Sequence, residues 1–335
     1  KLHAKYGGVV PNLAAREHTK NIEHVFKLAL KNAKIKNLNK EVDLIAVTRG
    51  PGLGPSLLVG LAFARTLAWK YSKPLVGVNH LEGHIYSNWI TSSRNPKLKT
   101  LISKQIQNSK FKIQNKNVFP ILNLIVSGGH TELVLMKDHG KYKVIGETLD
   151  DAVGEAFDKV ARLLGLGYPG GPAIAARAAK FKVESGKLKV ILPRPMEHSK
   201  DLNFSYSGLK TAVLYLLRDL KAERVKLTDD VVNEIAHEFQ KAATDVLVKK
   251  MVKAVQKYKI RTLMLSGGVS ANKTLRERLK KECVELGINY FRPAMEYTGD
   301  NAAMIAAAGY FNYIKNKKEK TSYDAVKMDA NLRFK

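Results

Sequence analysis

The sequence predicts an α/β protein. Short apolar runs of strand length recur at 42–47, 74–78, 121–126 and 262–265. Each is followed by a glycine-rich or capping stretch, and most then enter a segment with helical apolar spacing. Two of these breaks, Ser127-Gly128-Gly129 and Ser266-Gly267-Gly268, repeat one tripeptide after a strand in distant parts of the chain. With 335 residues, 45% of them apolar, the chain can build two compact domains or one large one.

Composition removes several classes. Cys283 is the single cysteine, so neither an intrachain disulfide nor a cysteine metal site is available, which fits a reducing, cytoplasmic compartment. No apolar run approaches the ~20 residues of a membrane helix; the best stretch, 57–69, is short and contains Arg65. The net charge of +27 favours an anionic partner, nucleic acid first. Of 57 basic residues 43 are Lys, so a lysine-rich compositional bias would produce the same excess. Basic residues cluster in 92–117 and 314–320 and are sparse around Ser127 and Asp300.

In order, 17–34 reads as an amphipathic helix and 42–47 as a strand entering the irregular stretch Thr48-Arg49-Gly50-Pro51-Gly52-Leu53-Gly54-Pro55-Ser56. Ser56 is expected to cap a helix over 57–71. Strand, glycine loop and helix start make either an anion site or a tight βα turn. After the strand 74–78, Asn79 is a good N-cap for a helix beginning at His80. Each helical residue turns the side chain by about 100°, so His80 and His84 share one face and Glu82 points to the other. In the H-E-x-x-H metallopeptidase pattern the Glu flanks the metal face and acts as base; here it cannot easily do so. The pair is a metal-holding arrangement or two ordinary histidines.

Residues 92–118 are polar and lysine-rich, a surface insertion or hinge and a plausible domain boundary. Strands follow at 121–126, 132–136 and 142–149, the last two joined by the turn Asp138-His139-Gly140-Lys141. The Ser-Gly-Gly break between the first two suits phosphate, because backbone N–H groups can close on an anion where no Cβ intervenes. A helix at 152–164 carries Glu155 and Asp158, and Gly165 to Pro172 is another glycine-rich loop entering a helix. A short strand and loop at 203–211 precede a helix. The long helix 229–255 carries a core stripe of Val232, Ile235, Phe239, Ala243, Val246 and Met251. The strand 262–265, the second Ser-Gly-Gly loop, a helix 273–286 and a strand 289–291 follow. Asp300 stands just before a helix over 302–313. Its ordinary role there is an N-cap; beside two histidines it is a candidate third metal ligand.

Together these features resemble the TsaD-type tRNA adenosine threonylcarbamoyltransferases, some formerly called O-sialoglycoprotein endopeptidases, and a bacterial member in particular. The matching stretches are 4–18, 49–56, 79–84, 126–131, 154–161, 168–172, 204–211, 266–272 and 298–303, in the family's order over essentially the whole chain. The resemblance implies the two-lobed actin, chaperone and sugar-kinase fold with a nucleotide cleft between the lobes. The expected division is an N-terminal lobe at 1–119, a C-terminal lobe at 120–300, and a helix and tail at 301–335 packing back on the first lobe. It implies metal ligands His80, His84 and Asp300, and nucleotide-side contacts at Ile125, Val126, Ser127, Gly128, Gly129, Asp158, Gly171 and Asn272.

The implied reaction moves a threonylcarbamoyl group from threonylcarbamoyl-AMP to the exocyclic amine of the adenosine 3′ of the anticodon, in tRNAs reading codons that start with A. Its cofactor would be one Fe²⁺ or Zn²⁺ per subunit, with adenylate or ATP in the cleft. Its partners would be tRNA, a paralogous protein and a small ATPase, with no membrane. Two departures stand out. The family's opening β-hairpin, with its acidic and hydroxyl-bearing phosphate motif, is not in this sequence, and Ala175 stands where many bacterial members carry an Asp contacting ribose. A metallopeptidase and a non-catalytic actin-like ATPase or scaffold are the rival readings.

Overall fold

The computed structural model describes residues 10–90, 118–182, 186, 188–315 and 322–334. The insertion read at 92–118 lies outside the described residues except for Val118, as do residues 316–320 of the second basic cluster. In chain order the elements are α1 (Pro11–Asn32), α2 (Leu38–Glu41), β1 (Ile45–Gly50), α3 (Gly54–Lys70), β2 (Leu75–Asn79) and α4 (His80–Tyr86). Then come β3 (Ile121–Val126), β4 (Thr131–Asp138), β5 (Lys141–Glu147), α5 (Val153–Leu163), α6 (Gly170–Ala178), α7 (Ser207–Ala222) and α8 (Asp229–Tyr258). The last are β6 (Thr262–Ser266), α9 (Lys273–Glu285), β7 (Asn289–Phe291) and α10 (Ala302–Lys315). The chain divides into two compact units, 1–90 with 300–335, and 91–299.

In the first unit β1 and β2 pair in parallel, Ile45 opposite Leu75 and Thr48 opposite Val78, joined by α3 as crossover. Helix α3 begins at Gly54 rather than after Ser56. Pro55 occupies its first turn, where the missing N–H and fixed φ are tolerated, and no side chain caps it. Helix α1 likewise starts earlier than its apolar spacing suggested, with Pro11 in its first turn. Helix α10 packs on β1, β2 and α4. The approach to α4 is close at Gly83: a Cβ there would stand 2.7 Å from Ile305 Cδ1 and 3.2 Å from Met304 Cγ. The tail returns to the same unit. Asp329 N donates to Arg49 O at 2.9 Å, Gly52 N donates to Ala330 O at 3.1 Å, and Val326 joins the small core of Leu61, Ala64, Ala68 and Leu75.

The second unit is built on a five-stranded sheet of order β5-β4-β3-β6-β7. Strand β3 is central and every residue of it is buried, as its unbroken apolar run requires. It pairs antiparallel with β4, Leu124 opposite Leu133, and parallel with β6, Leu124 opposite Leu265. A parallel neighbour needs a long crossover, and helices α5 to α8 supply it. Helix α8 runs for 30 residues and is buried well beyond one stripe, because the core closes around it; Phe239 meets Phe157 edge-on at 5.0 Å. None of the described helices is long and apolar enough to cross a membrane.

One acidic side chain ties the sheet to a helix start. The stretch read as a strand and loop at 203–211 forms only a bridge, Thr148 with Phe204, before α7 begins at Ser207. Asp150 caps that start from a distance. Its carboxylate accepts from Tyr206 N at 2.8 Å, Ser207 N at 3.2 Å, Ser205 Oγ at 2.5 Å and Ser207 Oγ at 2.6 Å. Partial burial pushes Asp150 up, but these hydrogen bonds outweigh it and hold the group below the ordinary carboxylate range. A depressed folded value gives stability that is present above the unfolded pKa and lost as pH falls through the folded one. Because solvent screens a carboxylate this exposed, Asp150→Ala should cost only about 1 kcal/mol at pH 7 by urea denaturation, the worth of a helix cap, with the gap to the parent closing as pH falls below about 4. A gap that stays constant with pH would show that the carboxylate's charge is not what caps the helix.

Candidate functional site

In the first unit β2 runs straight into α4, and Asn79 caps it, its side chain accepting from Leu81 N at 2.9 Å. The cap sets the helix phase, so His80 and His84 stand one turn apart with ring centroids 4.8 Å from each other. Asp300 closes the group from the start of α10. Its Oδ1 lies 3.3 Å from His80 Nε2 and 3.2 Å from His84 Nε2. Asp300 is not the cap of α10: Asn301 fills that role, its Oδ1 accepting from Met304 N at 2.9 Å, which leaves the Asp300 carboxylate to the histidines. The signal for Asn301 was in the sequence, an Asn three residues before Met304 at a helix start.

The three side chains offer ligand atoms within 4.8 Å of one another. Hydrogen bonds from His80 and then His84 hold Asp300 far below the usual carboxylate range, although its side chain is 76% exposed. His84 is buried, and its Nδ1 has no hydrogen-bond partner among the described residues. A buried imidazole whose polar surroundings are one carboxylate is an incompletely satisfied group, and a shared cation would repay its burial. Two imidazoles and one carboxylate suit zinc or iron(II) and leave coordination positions open. The donor set therefore fits a divalent metal. Glu82 sits on the opposite face, buried, with Asn312 Nδ2 donating to its Oε2 at 2.9 Å.

A cavity of about 690 Å³ opens beside the cluster and includes His80 and Asp300 in its wall. Its other polar lining is His18, Thr48, Ser56 and Asn301, over an apolar floor that includes Leu57 and Ile305. Thr48 and Ser56 bound the stretch that reads as an anion site or a tight turn, but their meeting with His18 beside His80 is not legible in the sequence, because they become neighbours only when α1, β1 and α3 pack.

In the second unit the two Ser-Gly-Gly loops lie side by side at one end of the sheet, since Ile125 pairs with Ser266. Gly267, at φ +88°, could carry no side chain: a Cβ would stand 2.3 Å from Val126 O. Above Gly128, Gly129, Gly171 and Gly268 a Cβ would meet nothing within 4 Å. Ser127 Oγ accepts from Gly129 N at 3.3 Å and His130 N at 3.1 Å, and Gly154 N donates to Ser127 O at 3.2 Å, which places the start of α5 against the loop. Ile125 and Val126 are fully buried, so a ligand could meet only their backbone.

Asp158 accepts from Gly170 N at 2.7 Å at the start of α6, and burial raises its pKa against the pull of the Gly170 and Gly171 amides. Gly171 is in the first turn of that helix and Ala175 one turn beyond. Asn272 is engaged as the cap of α9: Leu275 N donates to its Oδ1 at 3.0 Å, and its Nδ2 donates to Gln240 Oε1 at 2.8 Å. Gln240 has no local signature as a partner of Asn272, because it lies on the distant helix α8.

The family model for tRNA N6-adenosine threonylcarbamoyltransferase, TsaD, matches residues 1–106 and 105–307. A curated protein of that name from Thermosipho africanus is 45% identical over 325 residues, covering 97% of this chain and 88% of that protein. Others from Thermosipho melanesiensis and Caldicellulosiruptor saccharolyticus are 47% and 44% identical, covering 92% and 97% of this chain and 84% and 87% of theirs. Among solved structures, T. kodakarensis HypF is similar in fold, with a TM-score of 0.51 at 16% identity over 82% of this chain and 40% of that one. On its sequence over nearly its full length, the chain belongs to the tRNA N6-adenosine threonylcarbamoyltransferase family.

Proposed function

We propose that this chain transfers the threonylcarbamoyl group of threonylcarbamoyl-AMP to the exocyclic amine of the adenosine 3′ of the anticodon, in tRNAs reading codons that start with A. The observation that carries the reading is the convergence of His80, His84 and Asp300 in a chain of this family. In the reaction the amine nitrogen bonds to the carbamoyl carbon, the bond from that carbon to the AMP phosphate oxygen breaks, and the amine gives up a proton. The donor is an activated mixed anhydride, so no side-chain nucleophile is needed and orientation is the main task.

His80, His84 and Asp300 would hold one Fe²⁺ or Zn²⁺, which supplies Lewis-acid polarisation of the donor's oxygens when bound. Gly128, Gly129 and Gly171 leave room for the adenylate to approach the backbone. In this reading Asp158 and Asn272 act through position, Asp158 holding the Gly170 turn and Asn272 the start of α9. A paralogous protein and a small ATPase are the proposed partners. The metallopeptidase reading is weaker, because Glu82 is turned to Asn312 and away from the histidines. A non-catalytic actin-like ATPase would account for the glycine loops but gives the histidine–aspartate cluster no task.

Three measurements test the reading. Full-length chain, with partners added, should form the threonylcarbamoylated nucleoside on tRNA from threonylcarbamoyl-AMP; mass spectrometry of digested tRNA detects it, and none formed by metal-replete protein overturns the function. His84→Ala should lose its stoichiometric Zn or Fe by elemental analysis while keeping its circular dichroism. One equivalent of metal retained would place the site elsewhere. Gly129→Val fills the open space with a side chain, and adenylate affinity by calorimetry should fall at least tenfold, about 1.4 kcal/mol.

A further inference from the structure

We propose that a lysine-edged, aromatic-floored cavity of the second unit, at the end of the sheet remote from the glycine loops, docks the phosphodiester backbone of tRNA. The cavity is about 570 Å³ and is lined by Phe119, Pro120, Leu135, Lys137, Lys257, Tyr258 and Lys259. Three of its seven lining residues are lysines and none is a carboxylate. Lys143 stands opposite Leu135 in the β4–β5 register, and cross-strand partners share a face, so a fourth lysine borders the same surface. Lys137, Lys143, Lys257 and Lys259 are exposed, and none has an ion pair among the described residues.

Around α8, Lys249 pairs with Glu197 at 3.2 Å, Arg278 with Asp245 at 2.7 Å, and buried Lys250 donates to Ser199 Oγ at 2.6 Å. Those cations are spent on the protein's own carboxylates and hydroxyls. Lys257 and Lys259 also lie at the C-terminal end of α8, where a cation is favoured by the helix dipole. That explanation does not reach Lys137 and Lys143, which come from the sheet. The half-buried rings of Phe119 and Tyr258 add apolar surface to the wall; His139 meets Phe119 edge-on at 5.4 Å, and Lys257 Nζ stands 5.6 Å from the Tyr258 ring centroid.

The occupant follows from charge and reach. Unpaired lysines at a concave surface with no carboxylate call for a polyanion, and a run of phosphates meets several at once. The cavity opens beside the first residue of β3, and the Ser127 loop follows its last, so the two are separated by six strand residues, roughly 20 Å. An adenylate in the loop could not span that distance, whereas a tRNA stem can. The proposal rests on the reading of tRNA as the substrate.

The test compares full-length parent, a Lys137→Glu/Lys143→Glu double variant, and a Lys137→Gln/Lys143→Gln variant that removes charge at similar size. Both pairs lie on exposed strand positions, and unchanged circular dichroism and adenylate binding check the fold. The Glu pair should weaken tRNA binding about tenfold or more at moderate salt, and each lysine lost should lower the slope of log affinity against log salt by about 1. The Gln pair should show the slope change with a smaller loss. In turnover, KM for tRNA should rise with kcat kept. Unchanged affinity and slope overturn the proposal, as does loss of binding to an acidic protein partner with tRNA affinity intact. If the variants weaken tRNA binding but the parent transfers no threonylcarbamoyl group, the docking surface stands and the assigned reaction fails.

Discussion

The contact between α4 and α10 is the constraint from which the candidate metal centre follows. Asp300 is remote in sequence from His80 and His84, and it reaches them only because α10 lies close along α4. That closeness exists because residue 83 is glycine: Ile305 and Met304 occupy the space where a side chain would begin. The same packing buries Glu82 and turns it to Asn312. One backbone approach thus assembles the carboxylate with the histidines and removes the competing acid from their side. The parallel pairing of β1 and β2 supports the arrangement from below, since α4 begins where β2 ends.

Seven glycines at the loop and helix starts of the second unit fall into two kinds by the space around each. At Gly154, Gly170 and Gly267 an added Cβ would fall within 2.5 Å of backbone atoms, so these residues serve the packing of loop on helix. At Gly128, Gly129, Gly171 and Gly268 there is open space. Glycine at a crowded position is explained by the protein itself. Glycine at an open position leaves the backbone N–H groups uncovered, which is the space an anion needs to approach them.

Much of this was legible in the sequence because it rests on local signals. Asn79 before His80, the i, i+4 spacing of the histidines, the buried run 121–126 and the repeated Ser-Gly-Gly are all read within one element or one turn. The helix starts at Pro11 and Gly54 precede those that apolar spacing suggests, because that spacing begins only after the first turn, where proline is tolerated. What stayed hidden depends on packing between distant segments. Asp150 capping α7, Gln240 meeting Asn272, and His18, Thr48 and Ser56 gathering beside His80 have no signature until the chain is folded. The lysines bordering Phe119 and Tyr258 do not stand out in a chain with so many, and only their place around a cavity wall without a carboxylate sets them apart.

The division of work between Asp300 and Asn301 has a consequence for how such a centre can change. Where one carboxylate both anchors a helix and binds a cation, altering the second duty damages the first. Here Asn301 carries the mechanical duty and Asp300 is left with the chemical one. The cluster is therefore a detachable part of the scaffold: its side chains can be exchanged, or removed, while the helix that delivers Asp300 stays in place.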